Sequence, residues 1–218
     1  MTNAERLRDE IARYQQFSVM GHLEHSTSGF DLLYLMQHHG ALTRLLDWSE
    51  SFNTALFFAF INWNPTETAR VWMLDPFLLN TRSMKERTLI INHENFYENY
   101  NITSIKDNNI TGLRIETVAL YPSRNNKRMI AQQGVFTLQG LSEKPLEEQF
   151  NGQLVNEKIL IPIELRPSVY EDVITHLKAA GVTYHSLFPD LDGLAKYVND
   201  PYYLNKIKIK NKLKVGSL

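Results

Sequence analysis

The sequence predicts a mixed α+β fold on three observations. Segments with helical apolar spacing occur near both ends of the chain. Five short β-rich runs lie between them: TRLLDW (43–48), ARVWML (69–74), ETVALY (116–121), GVFTLQ (134–139) and KILIPIE (158–164). Polar, turn-forming stretches separate these runs. With 218 residues, 43% hydrophobic and 22% charged at a net charge of -1, the chain is expected to fold as one domain over 1–218, with 201–218 as a basic strand or tail.

The elements follow in order. Thr2-Asn-Ala-Glu5 has the form of a capping box, and Leu7, Ile11 and Tyr14 recur at helical spacing, so an amphipathic helix is expected over 3–17. GHLEHSTSG (21–29) reads as a loop, and Phe30 to His39 as a helix stopped by Gly40, a residue suited to the left-handed C′ position. TRLLDW is short, apolar and flanked by turn signals, which favours a strand. SFNTALFFAFINW (51–63) is long and apolar enough for a mostly buried helix. The pattern leaves 83–109 open between helices and loops. Ser168-Val-Tyr-Glu171 reads as a second capping box opening a helix to Gly181, and Asp190 as the cap of a short helix carrying Leu191, Leu194, Ala195 and Val198. Lys206, Lys208, Lys210, Lys212 and Lys214 alternate with other residues near the end, which fits an edge strand. That lysine face serves either as a guard against edge pairing or as a handle for a phosphate backbone.

Several function classes are excluded. The absence of cysteine removes disulfides and thiolate chemistry and fits a cytoplasmic protein. No apolar run approaches the roughly 20 residues of a membrane span. Neither a Walker A sequence nor G-x-G-x-x-G occurs, so no standard phosphate loop is available.

Three segments concentrate chemistry. In Gln37-His38-His39-Gly-Ala-Leu-Thr43-Arg44-Leu-Leu-Asp47-Trp48, the histidines and charges are either helix-end partners with a structural ion pair, or the wall of a pocket. On a strand, period two puts Thr43, Leu45 and Asp47 on one face and Arg44, Leu46 and Trp48 on the other. Arg44 and Asp47 then each need a separate partner, which favours a pocket, because an unpaired buried charge is too costly to persist. SRNNKRMIAQQGVF (123–136) is a basic turn leading to Gln132 and Gly134, and reads as a ligand-approach strand or a hairpin bulge. In SLFPDLDGLAK (186–196), Asp190 and Asp192 are a helix cap and a dipole partner, or carboxylates with a catalytic or metal role.

Taken in order, these segments resemble the FRG domain family. The block from Gln37 to Trp48 with Ala55-Leu-Phe-Phe-Ala59 is similar to its QH-aromatic-G-x-x-TRLLDW and A-L-x-F-A motifs. Arg128 to Phe136 resembles R-x-x-x-Q-x-G-x-F, and LFPDLDGLAK resembles the closing motif. The Phe/Tyr-Arg-Gly tripeptide that names the family is absent from residues 1–36, so the chain is expected to begin downstream of it or to be a specialised member.

The resemblance implies mostly antiparallel, ADP-ribosyltransferase-like sheets flanked by helices, with NAD as substrate. It implies a toxin or phage-defence effector that transfers ADP-ribose to RNA or protein, has an antitoxin-like protein partner and uses no metal. It assigns catalysis to Gln132, Arg44 and Asp47. It assigns cofactor contacts to His38, His39, Thr43, Arg44, Trp48 and Arg128, with Arg44 on the pyrophosphate, Trp48 or His39 against nicotinamide, and Gln132 on a strand.

Overall fold

The computed structural model describes residues 3–91, 116–124 and 126–200. Thr2 of the first expected capping box, most of the stretch left open at 83–109, and the lysine-rich 201–218 lie outside the described residues. The fold is α+β, with antiparallel sheets flanked by helices.

Helix α1 (Asn3–Met20) runs three residues past the expected end, and α2 (Gly29–His38) follows the expected loop. Gly40 (φ +79°) terminates α2 as expected. Its N–H donates to Gln37 O and that of Ala41 donates to Met36 O, closing a Schellman motif. Strand β1 (Leu45–Ser49) leads into α3 (Phe52–Ile61), whose N-cap Ser51 accepts from Thr54 N. Strand β2 (Ala69–Leu74) is followed by α4 (Pro76–Met84), a helix the periodicity did not reveal. Its signal is local: Asp75 accepts from Leu78 N at 2.9 Å, and Pro76 occupies the first turn, where its missing N–H costs nothing.

Strands β3 (Ile90–Ile91) and β4 (Val118–Tyr121) come next. Helix α5 (Lys127–Gln132) then corrects the expectation that Gln132 lies on a strand. Asn126 caps this helix by accepting from Met129 N at 2.8 Å. Gln133 turns left-handed (φ 49°), and only then does β5 (Gly134–Leu138) start. A Cβ on Gly134 would meet its nearest neighbours at 3.7 and 3.8 Å, ordinary contact, so no close backbone approach requires glycine there. A 3₁₀ segment, Leu146–Gly152, contains three successive left-handed residues, Phe150, Asn151 and Gly152, before α6 (Gln153–Asn156) and β6 (Leu160–Leu165).

The helix expected from Ser168 begins instead as a 3₁₀ turn, Pro167–Val169, and continues as α7 (Tyr170–Ala179) without a side-chain cap. Proline at its first position supplies the start that a serine hydroxyl was expected to give. The reciprocal capping box lies further on, where Thr183 and Ser186 open α8 (Tyr184–Leu187). Asp190 caps α9 (Leu191–Asn199) as expected, accepting from Gly193 N at 2.7 Å.

The strands order as β1-β5-β4-β3 in one sheet and β2-β6 in the other. β3 pairs with β4 in parallel, and β4 with β5 antiparallel in the register Val118 to Leu138 and Leu120 to Phe136.

The chain divides into two compact units, each assembled from three separate stretches. The first is Met1–Asp47, Leu74–Ser123 and Phe136–Ile161. It buries Leu32, Met36, Leu79, Val118, Leu138 and Leu154, and stacks Tyr34 on Phe136 at 5.0 Å. Within it, fully buried Asn80 on α4 donates to the carbonyls of Thr88 and Ala119 and accepts from Ala119 N at 2.7 Å, pairing with β4 as a strand residue would. Satisfying all these groups is what makes a buried amide affordable. The second unit is Trp48–Met73, Arg124–Val135 and Pro162–Leu218. Its core joins Leu56, Phe57, Trp63, Val71, Leu165, Val173, Leu177 and Leu187.

Candidate functional site

In the first unit the QHHG block builds a directed hydrogen-bond chain. Thr43 Oγ1 donates to Gln37 Oε1 at 2.7 Å, and Gln37 Nε2 donates to Asp47 Oδ2 at 2.8 Å. Thr43 Oγ1 also accepts from Leu45 N at 3.1 Å, so the start of β1 fixes the hydroxyl that fixes the amide. Leu45 and Asp47 share a face of β1, yet burial does not follow that alternation: Leu45 is buried while Asp47, two residues on, is exposed. Asp47 therefore presents a carboxylate to solvent in one held orientation. The rings of His38 and His39 meet edge to face at 4.9 Å at the end of α2, with His39 exposed.

Arg44 and Asp47 do have separate partners, although the strand expected over 43–48 begins only at Leu45 and Arg44 lies just before it. Arg44 Nε donates to Glu10 Oε1 and Oε2 at 3.1 and 3.0 Å, and the two side chains are only 8% and 9% exposed. Arg44 Nη1 and Nη2 are buried and make no hydrogen bond, as is Arg13 Nε nearby. Burial pushes the Glu10 carboxyl above its ordinary value, against the opposing pull of Arg44 and, more weakly, Arg13. The guanidinium assigned to a pyrophosphate is thus committed to a carboxylate on α1. Glu10 escaped the sequence reading, though its signal is present: Leu7, Glu10 and Tyr14, spaced three and four apart, are the buried residues of that helix face.

The second unit holds the other candidates. Gln132 Nε2 donates to Leu187 O at 3.0 Å, and its backbone carbonyl accepts from Ser49 Oγ at 2.7 Å. Glu50 N donates to Gln133 O at 3.1 Å, and Arg124 pairs with Glu50. Gln132 is therefore a stitch joining the end of β1, the end of α5 and the end of α8. Arg128 lies over the Phe188 ring with its guanidinium carbon 4.6 Å from the centroid, and Trp48 is half-buried. Asp190 is occupied as a helix cap, and Asp192 sits in the first turn of α9. Among the described residues, no three His, Asp or Glu side chains are grouped to hold a metal ion.

Residues 2–68 match the family model described as FRG domain. The chain carries an FRG domain over residues 2–68. No curated protein and no solved structure matches the chain. The FRG domain begins well upstream of the QHHG block and includes α1, so Glu10 and Arg44 both belong to it. It also contains the whole Thr43, Gln37 and Asp47 chain, whereas Arg128 and Gln132 lie beyond it. Among the described residues, no helix is long and apolar enough to cross a membrane.

Proposed function

We propose that this chain is an NAD-dependent ADP-ribosyltransferase, a cytoplasmic effector of the toxin or phage-defence type whose acceptor is RNA or protein. The observation that carries the reading is the exposed Asp47 carboxylate, held by Gln37, which is itself held by Thr43 inside the FRG domain. Transfer breaks the bond between nicotinamide and ribose, and positive charge develops on the ribose as the leaving group departs, much as in glycoside hydrolysis. A preoriented carboxylate stabilises that charge or accepts from the ribose hydroxyls without reorganising at the moment of reaction. His39 is the aromatic candidate for the nicotinamide ring. Arg44 acts as a positioning residue through Glu10.

The test is incubation with NAD labelled in its nicotinamide, in the presence of RNA and protein acceptors. Wild-type protein should release nicotinamide, and Asp47→Asn should slow release by roughly 10²-fold, with an unchanged melting curve. Absence of release from the wild type would remove the transferase reading. A second reading, a non-catalytic nucleotide- or nucleic-acid-binding module, is favoured by Arg44, whose Nε is held by Glu10, and by Gln132, whose side-chain amide is held by Leu187 O. NAD binding without nicotinamide release would select it.

A further inference from the structure

The second unit contains a cavity of about 520 Å³ that includes none of the residues assigned to catalysis above. Phe57, Phe60, Trp63, Tyr170 and Tyr184 form its aromatic part, α9 supplies Lys196 and Asn199, and the residue that caps its C-terminus supplies Asp200. Its size is that of a small-molecule site, and its lining joins a cluster of rings to polar groups at the end of α9.

The aromatic cluster is built in advance of any ligand. Phe57 meets Tyr184 edge-on at 5.2 Å, and Trp63 meets Tyr170 edge-on at 5.2 Å. Phe60 also lies 5.4 Å from Tyr170. Trp63 Nε1 already donates to Glu67 O at 2.7 Å, so the indole contributes its apolar surface with its one polar group satisfied. Lys196 Nζ stands 5.8 Å from the centroids of both Tyr184 and Phe188. Among the described residues no carboxylate forms an ion pair with it. Burial, aided by the charge of Asp200, raises the Tyr184 hydroxyl above its ordinary value and keeps it a donor.

We propose that this cavity binds an aminopurine nucleotide. The base lies against the aromatic cluster, its exocyclic amino group donates to Asp200, Asn199 pairs with the ring edge, and Lys196 takes the phosphate. The spacing of the polar groups favours a nucleotide over an aromatic amino acid. Positions 196 and 200 are one helical turn apart, about 6 Å along the axis, whereas the ammonium and carboxylate of an amino acid share one carbon and cannot be so divided. A nucleotide separates its amino edge from its phosphate by a ring and a sugar. Each rim group confers a distinct preference: a carboxylate rejects a base that presents a carbonyl where the amino group should be, and an ammonium rewards phosphate.

Titration calorimetry on the full chain tests this with AMP, adenosine, IMP and tryptophan as probes. AMP should bind saturably, and adenosine and IMP should each bind roughly tenfold more weakly. Lys196→Ala should bring AMP down to the level of adenosine, and Asp200→Ala should abolish the preference for AMP over IMP. Ala195→Trp, at an exposed position on the cavity wall, should block AMP and adenosine alike while the melting curve stays in place. Asp47→Asn should leave AMP binding intact, so failure here and failure of the transferase reading are separable. The proposal is overturned by unsaturable AMP binding, by rim variants that bind as wild type, or by a preference for tryptophan over AMP.

Discussion

Arg44 and Glu10 form a buried ion pair in which one Nε–H is shared between both carboxylate oxygens, at 3.1 and 3.0 Å. Breaking such a pair from one side strands a charge in the interior. Glu10→Ala or Arg44→Ala should each destabilise the protein by about 3–5 kcal/mol in urea unfolding. The paired replacement Glu10→Leu with Arg44→Met removes both charges and should recover most of that loss. Single-variant losses below about 1 kcal/mol would mean that the pair is effectively solvated.

The same pair makes a prediction about pH. Because burial raises the Glu10 carboxyl in the folded state, the native protein binds a proton there more tightly than the unfolded chain does. This group's unfavourable contribution is complete above its folded value, fades as the pH falls toward its unfolded value, and is absent below that. Glu10→Gln keeps an acceptor for Arg44 without the charge. Its melting temperature relative to wild type should therefore fall as the pH drops into weak acid, because wild type sheds that unfavourable contribution and glutamine has none to shed. A relative melting temperature that rises on acidification would show that Glu10 is lowered instead of raised.

Asp47 owes its orientation to Gln37, and Gln37 owes its own to Thr43. Thr43→Val should therefore act on turnover through two intervening bonds. The expectation is a fall in kcat of roughly tenfold with little change in KM for NAD, whereas Thr43→Ser should restore the rate. Equal rates in the valine and serine variants would separate the hydroxyl from the chemistry.

Gly193 lies in the first turn of α9, where an added Cβ would come within 1.9 Å of Phe188 O and 2.6 Å of Phe188 Cβ. Backbone cannot yield that distance without displacing the turn after α8. Gly193→Ala should cost at least about 1–3 kcal/mol. Gly134→Ala, with ordinary contacts and no left-handed φ, should change stability by less than about 0.5 kcal/mol. Chemical denaturation of the two variants side by side decides the matter, and equal stability would refute the packing assigned to Gly193.

What the sequence disclosed was mostly local. Gly40 and Asp190 end and begin their helices as read, because capping is settled within a few residues. Arg44 and Asp47 have the separate partners expected of them, though Arg44 precedes β1 and so is not parted from Asp47 by strand alternation. Glu10 could not be named as Arg44's partner, since the two are 34 positions apart and only tertiary packing joins them. Gln132 was misplaced for a subtler reason: KRMIAQ is a helix of only six residues, too short to register as periodic, and its decisive mark is the Asn126 cap. Ser168 offered the right letters for a cap, but Pro167 determined the local start. The cavity beside α9 is drawn from stretches more than a hundred residues apart, which no motif spans.

The division of both units into three interleaved stretches bears on how the protein can be taken apart. A fragment ending at residue 68 would hold the entire family match, yet only the first stretch of one unit and most of the first stretch of the other. The Thr43, Gln37 and Asp47 chain would survive in such a piece as letters without the buried scaffold of α4, β4 and β5. The family segment is therefore a recognisable text and not a transplantable module: grafting it elsewhere, or excising it for study, should yield an unstructured peptide unless the later stretches come with it.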